Sequence, residues 1–366
     1  MNVQNFPRES IGLPPELRSR IDAVQLPEQL GFGKLMAPLM AIATYRDGQW
    51  ETPRLTGLDP MQLLPETQAL HYGQAIFEGM KAYRNLGGEL EGTALLFRPF
   101  DHARRFNRSA VRLGMPAIPE DVFVHTLEQL VGHLDALIPS AKGQSLYVRP
   151  FMFGASPDLS VIPSTEYCFV IVATPSDAFF TQPIKAWIER RYSRAGAGGT
   201  GAVKAAGNYA ASFAAAASLH ENGFQQLLWL DAYHRTDLEE FTAMNVFVRF
   251  EDKLVTPALT DTILAGITRD SLLRLGELFG LRMEETTVKI EEVLGAIRAG
   301  RDVELFGCGT GVVVAPVKTL GDETGLRLDL PSQRVAADLR QRLLDIQHGQ
   351  APAPEGWQVP VMKARG

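Results

Sequence analysis

Residues 195 to 207 read AGAGGTGAVKAAG, with Gly196, Gly198, Gly199, Gly201 and Gly207 among thirteen positions. No packed helix or strand suits that composition, so any fold for this chain must hold an irregular loop here. Glycines let a backbone approach a ligand closely and adopt positive φ, and such a loop at a helix start can present N–H groups to a phosphate. Lys204 sits inside it. The chain has only nine lysines against 27 arginines, so an isolated lysine among Gly and Ala calls for an explanation. A lysine amine removed from water gives up its proton more readily, the property needed for Schiff-base chemistry. The alternative is a solvated loop cation, and the loop by itself leaves both readings open.

The same loop offers a rival reading. Gly196, Gly198 and Gly201 satisfy G-x-G-x-x-G, and Glu221 follows the last of them by 20 residues, as in a dinucleotide-binding fold. That fingerprint needs a buried strand directly before its first glycine. Arg190, Arg191, Tyr192, Ser193 and Arg194 are too polar for one, which argues against an NAD-dependent dehydrogenase.

With 366 residues the chain is long enough for two domains. Period-two and helical apolar patterns alternate along it, which predicts an α/β protein. Strands are expected at Leu39–Tyr45, Ala94–Arg98, Ser145–Phe151, Glu166–Ala173, Ile184–Glu189 and Gln225–Leu230, and later near Val246, Glu284–Lys289 and Gly311–Val317. Helices are expected from Pro99, over Pro119–Leu137, through an alanine-rich stretch ending at Leu219, and over Thr268–Phe279, Ile290–Ala299 and Ser332–Gln347. Thr174-Pro175-Ser176-Asp177 reads as a break. The expected division is a smaller N-terminal domain over 1–174, a linker over 175–183 and a larger C-terminal domain over 184–366.

Lys plus Arg number 36 against 42 Asp plus Glu, a net charge of −6, and no basic cluster suggests a nucleic-acid partner. Two cysteines, Cys168 and Cys308, are too few for a disulfide framework. The opening MNVQNFPRES lacks a signal-peptide layout and no apolar run approaches the ~20 residues of a membrane span, so a cytoplasmic protein is expected. The histidines show no metal-ligand spacing, and no metal is expected.

Glu240, in TDLEEFTAMNVFV between two predicted strands, is a candidate anion for a cofactor ring nitrogen, although a solvated loop glutamate is the plainer reading. Tyr209 follows Lys204 by five positions. Leu264-Ala265-Gly266-Ile267-Thr268 and Phe306-Gly307-Cys308-Gly309-Thr310-Gly311 each combine backbone N–H groups with a hydroxyl, as anion cradles do. Lysine, acid and two cradles in one chain point toward pyridoxal phosphate (PLP).

Glu240-x-Thr242-x-x-Asn245-Val246-Phe247, Leu254-x-Thr256 and Leu264-x-Gly266-Ile267-x-Arg269 together resemble the class-IV aminotransferase signature. LHYGQAIFEGMKAYR from Leu70, LFRP from Leu96, RFNRSAVRL from Arg105, SLYVRP from Ser145, GGTGAVKAAGNYA from Gly198, QQLLWL from Gln225 and ELFGCGTG from Glu304 extend the likeness to branched-chain amino acid aminotransferases, from about Phe32 to Gln347. The resemblance implies the fold type IV architecture, with a pseudo-barrel second domain. It makes Lys204 the Schiff-base lysine, Tyr209 the partner of the ring hydroxyl and Glu240 the carboxylate on the pyridine nitrogen. Arg105, the Thr310 hydroxyl and the amides of Ile267 and Thr268 would hold the phosphate, with Arg194 nearby.

Phe32, Tyr72, Phe77, Tyr147 and Phe179 would line the substrate pocket. Tyr72 and the amides of Gly311 and Val312 would bind the α-carboxylate, and Tyr147 and Arg149 the second carboxylate of glutamate. Leu159 and Val161, in GASPDLSV, resemble a loop that reaches a partner subunit, implying a homodimer. The implied reaction moves the amino group of L-leucine, L-isoleucine or L-valine to 2-oxoglutarate, giving L-glutamate. D-amino acid aminotransferase and aminodeoxychorismate lyase share the lysine and the glutamate. Two departures stand out: Val312 and Ala315 replace the redox cysteine pair of mammalian members, and Phe179 replaces a tyrosine.

Overall fold

The computed structural model describes residues 12–364 apart from 218, 220, 252 and 279. The opening segment weighed above as a signal peptide lies outside the described residues. The chain divides into two compact units, Met1–Phe179 with Asp345–Gly366, and Phe180–Leu344.

The first unit begins with α1 (Pro15–Asp22), β1 (Leu39–Arg46), β2 (Gln49–Trp50) and β3 (Arg54–Gly57). Next come α2 (Gln68–Tyr72), β4 (Ala75–Phe77), β5 (Met80–Arg84), β6 (Ala94–Phe97), α3 (Pro99–Arg112), α4 (Glu120–His133), β7 (Ser145–Gly154) and β8 (Tyr167–Ser176). Asp47 and Gly48 both take positive φ, 50° and 79°, so the β1–β2 turn has the twist a two-residue hairpin requires.

Side-chain alternation gives this sheet two different faces. Leu39, Ala41, Leu146, Val148, Phe169 and Ile171 pack into one core with Phe106 of α3 and Phe123, Leu127 and Leu130 of α4. The intervening positions, including Tyr147 and Arg149, belong to the other face. Phe77 pairs with Phe151 across β4 and β7, which places it on that second face too.

The second unit holds β9 (Ile184–Glu189), α5 (Gly207–Ala210), α6 (Phe213–Ala216), β10 (Gln226–Leu230), β11 (Leu238–Phe241), β12 (Asn245–Phe250) and β13 (Lys253–Pro257). It continues through α7 (Ile267–Leu278), β14 (Arg282–Thr286), α8 (Ile290–Arg298), β15 (Val303–Gly309), β16 (Val313–Gly321) and β17 (Arg327–Asp329). The ladder runs β11-β10-β9-β16-β15-β12, and β12 pairs back onto β11, closing a six-stranded barrel. Closure removes the free edges, and β13, β14 and β17 extend it. Ile184, Ala186, Leu228, Val246, Val248 and Leu305 share a core with Val293 and Ile297 of α8.

The chain then passes through α9 (Arg334–Gln347) and ends with β18 (Gln358–Val361), which pairs antiparallel with β6. Residues 345–366 are thus part of the first unit, not of the C-terminal domain expected over 184–366, and the first unit is the larger one. A strand so far from its partner in sequence leaves no local signal. The unit boundary falls within the expected 175–183 linker, but Thr174–Ser176 are the end of β8, paired with Ser145–Tyr147. The alanine-rich helix is reduced to the single turns α5 and α6. Bonds that span three residues, such as Asn208 N–H to the Ala205 carbonyl and Tyr209 N–H to that of Ala206, alternate there with four-residue bonds such as Ala216 N–H to the Ser212 carbonyl, so the segment mixes tight and α-helical turns.

Candidate active site

Most of the residues expected around the cofactor come together at one rim of the barrel. Glu240 pairs with Asn245 across β11 and β12, and Asn245 pairs with Cys308 of β15. The ladder therefore sets Glu240 and Asn245 beside the β15–β16 turn, where Thr310 and Gly311 are half-buried and Val312 is buried. Asn245 Nδ2 donates to the Leu264 carbonyl at 2.9 Å, tying the segment before α7 to the same rim. A Cβ on Gly266 would lie 1.9 Å from Asn245 Oδ1, so only glycine allows this approach. Ile267 and Thr268, both buried, open the 12-residue α7, whose first amides and dipole suit an anion.

Lys204 is half-buried, and its Nζ donates to the Tyr209 hydroxyl at 2.8 Å. Glu240, read from sequence as a loop residue, is instead buried on β11. Leu264 N–H donates to its Oε1, and Arg194 Nη2 approaches that oxygen at 3.4 Å. Burial pushes the Glu240 carboxyl up to about 7, against the opposing pull of Arg194, the Leu264 amide and Lys204. Arg194 also donates to the carbonyls of Gly201, at 2.8 Å, and Thr262. It braces the glycine loop and the 260–264 segment against Glu240, which is a positioning role.

In the first unit, Phe32 meets Tyr147 edge-on at 4.8 Å between ring centroids and Phe179 at 5.2 Å. Arg149 Nη2 donates to the Tyr147 hydroxyl at 2.8 Å, and its guanidinium lies 4.5 Å from the centre of the Phe77 ring. Arg149 Nε is buried with no hydrogen-bond partner among the described residues, a donor left for an acceptor such as a carboxylate. Tyr72 is exposed and donates to the carbonyl of Leu159 in its own chain. Arg105 is buried on α3 against Glu78.

Three participants escaped the sequence reading. Glu78 and His102 form a buried cluster with Arg105, and Asn208 binds the loop that carries Lys204. The i, i+3 spacing of His102 and Arg105 on an amphipathic helix was the available signal for that pair. Glu78, between Phe77 and Gly79, is an acid within an apolar run.

Comparison with known proteins matches residues 75–320 to the amino-transferase class IV family model. The chain belongs to the class-IV aminotransferases. Among its relatives are branched-chain-amino-acid transaminase 1 of Bacillus subtilis strain 168, 39% identical over 342 residues covering 92% of this chain and 95% of the relative, and the branched-chain-amino-acid aminotransferase of Mycolicibacterium smegmatis, 40% identical over 338 residues covering 89% and 91%.

Two crystal structures of branched-chain aminotransferases share the fold of this class-IV aminotransferase. The one from Thermoproteus uzoniensis with norvaline superposes with a TM-score of 0.72 at 24% identity, covering 88% of this chain and 99% of that one. The one from Thermobaculum terrenum in its PLP form gives 0.70 at 23%, covering 88% and 98%. Among the described residues no helix is long and apolar enough to cross a membrane.

Proposed function

We propose that this aminotransferase uses PLP to exchange the amino group between L-leucine, L-isoleucine or L-valine and 2-oxoglutarate. The observation that carries the reading is the arrangement at the barrel rim, where an amine, a phenol 2.8 Å from it and a buried carboxyl are followed by an anion-binding helix start. These residues fit the cofactor: Lys204 for its aldehyde, Tyr209 for its ring hydroxyl, Glu240 for its ring nitrogen. Ile267, Thr268 and Thr310 offer donors for its phosphate, a role the resemblance also gives Arg105. PLP, when bound, supplies an electron sink for the pair released at the substrate's Cα.

The chain's own residues do the rest. Lys204 Nζ takes the proton from Cα of the amino acid in one half-reaction and delivers one to Cα of the 2-oxo acid in the other, with Tyr209 fixing its direction. Glu240 sets a carboxylate against the ring nitrogen and so favours a proton on that nitrogen. Phe32, Phe77 and Phe179 offer apolar contact worth ~1.5–3 kcal/mol for each branched side chain buried. The buried Nε–H of Arg149, with no partner among the described residues, donates to the second carboxylate of glutamate, so the same pocket serves both half-reactions. The resemblance assigns Tyr72 and the Gly311 and Val312 amides to the α-carboxylate; to bind it, Tyr72 must release the Leu159 carbonyl and Val312 the Gly309 carbonyl.

The sequence resemblance and a patch of exposed apolar side chains support a homodimer. Leu64, Leu70, Leu159, Val161 and Ile162 are all exposed, Val161 at 85%. Gln68 Nε2 ties α2 to the carbonyls of Ser160 and Ile162, so the patch is one connected piece. Both cysteines are buried and unpaired, in keeping with a reducing cytoplasm.

Amino-donor profiling tests the assignment. With 2-oxoglutarate as acceptor, L-leucine, L-isoleucine and L-valine should yield glutamate while D-alanine does not. Turnover of D-alanine alone, or pyruvate release from aminodeoxychorismate, would contradict it.

A further inference from the structure

We infer that Asn208 is a positioning residue for Lys204, fixing where the amine stands through the backbone on either side of it. Asn208 Nδ2 donates to the carbonyls of Thr200, at 2.7 Å, and Val203, at 2.9 Å, and its Oδ1 accepts from the Thr200 hydroxyl at 2.6 Å. Carbonyls can only accept, so two of them facing the same end of the amide determine which end carries the nitrogen.

Val203 directly precedes Lys204, and Tyr209 directly follows Asn208. One side chain thus links the residue before the amine to the residue before its phenol partner. The backbone closes the same knot, with Val203 N–H on the Thr200 carbonyl at 3.2 Å and Asn208 N–H on the Ala205 carbonyl at 3.3 Å. Farther out, Asp261 holds the Gly198 amide by its side chain and the Ala202 amide by its carbonyl.

The composition explains why such a knot is needed. Five glycines in thirteen residues leave the loop much backbone freedom to lose on folding, and lysine adds a long flexible stem. A group that must act on one particular hydrogen cannot tolerate that freedom, because a shift of about 1 Å costs on the order of 100-fold in rate. The inference rests on the assignment of Lys204 as the amine that moves the substrate proton.

The test uses holoenzyme and follows the cofactor spectrum in a single-turnover reaction with L-leucine, counted per bound cofactor. Asn208→Ala should slow the reaction about 10- to 100-fold. Asn208→Asp, which keeps the volume but lacks both donors, should be as slow. Each change is then repeated in a Lys204→Ala background with methylamine supplied as a free base. The loop does not position a free amine, so Asn208→Ala should leave that rescued rate unchanged.

Equal slowing in both backgrounds would mean a general structural role and overturn the inference, as would a wild-type rate in Asn208→Asp. Full leucine turnover by Lys204→Ala without added amine is a separate outcome. It would remove the Lys204 assignment itself and the role of Asn208 with it.

Discussion

The guanidinium of Arg105 is gripped by Glu78 through two parallel hydrogen bonds, Nε to Oε1 at 2.7 Å and Nη2 to Oε2 at 2.9 Å. His102 Nδ1 donates to the same Oε2 at 2.7 Å. Burial by itself would raise the Glu78 carboxyl, but Arg105 and His102 outweigh it and hold the group far below the usual carboxylate range. Burial lowers the His102 pKa, against the opposing pull of Glu78. Removing one partner of a buried pair strands the other, so Glu78→Gln should lose about 3 kcal/mol of stability, read from urea unfolding. If Arg105 holds the cofactor phosphate, the same variant should also bind PLP more weakly, whereas its affinity for pyridoxal, which has no phosphate, should change little.

Glu240 predicts a pH dependence of the opposite sign to an ordinary ion-paired acid. Its folded value, about 7, lies above the unfolded one. The contribution to stability of cofactor-free protein is therefore complete below about 4.5 and is lost as pH rises through 7. Melting curves of cofactor-free protein from pH 5 to 8 should show this loss, and Glu240→Gln, a mimic of the protonated acid, should flatten it. In the holoenzyme the same substitution removes the charge facing the ring nitrogen and should slow transamination about 10²- to 10³-fold.

Gly266→Ala would set a methyl group 1.9 Å from Asn245 Oδ1, with Arg269 Cβ at 3.2 Å on another side. Asn245 would have to release the Leu264 carbonyl. We expect a stability loss of about 1–3 kcal/mol and weaker retention of PLP, measured by dialysis followed by absorbance. Wild-type retention would show that the start of α7 does not hold the phosphate.

His348 supplies an acid-side limit in the first unit. Its Nδ1–H donates to the Arg84 carbonyl at 2.9 Å, and Gly143 N–H donates to its Nε2 at 3.1 Å. Both nitrogens are engaged in the neutral form, and burial lowers the pKa. A depressed folded value means that stability is present above the unfolded value of about 6.5 and declines as pH falls below it. His348→Gln should reduce that decline in acid unfolding curves.

The motif residues were legible because their chemistry demands unusual composition: a lysine among glycines, and a glycine before a helix that starts with Ile-Thr. Glu240 was legible as an acid but not as a strand residue. Leu238-Glu239-Glu240-Phe241 has two acids at its centre, and Arg194 with the bonds that reach Glu240 from Leu264 and Glu239 from Thr262 makes burial tolerable. The barrel was legible only through the resemblance and not from the residue pattern, since its closure depends on register between β15 and β16 and strands far earlier in the chain. The β18–β6 pairing was invisible for the same reason. Arg194 shows the limit of reading by likeness: its bonds to Gly201 and Thr262 depend on loop geometry that residue type does not reveal.

Borohydride reduction of the holoenzyme followed by peptide mapping tests the central claim most directly, because it reports which amine is bonded to the cofactor's aldehyde. The account predicts a reduced pyridoxyl group on Lys204 alone, with loss of leucine transamination in step with labelling. A label on another lysine such as Lys81, or an active enzyme that carries no label at all, would contradict it.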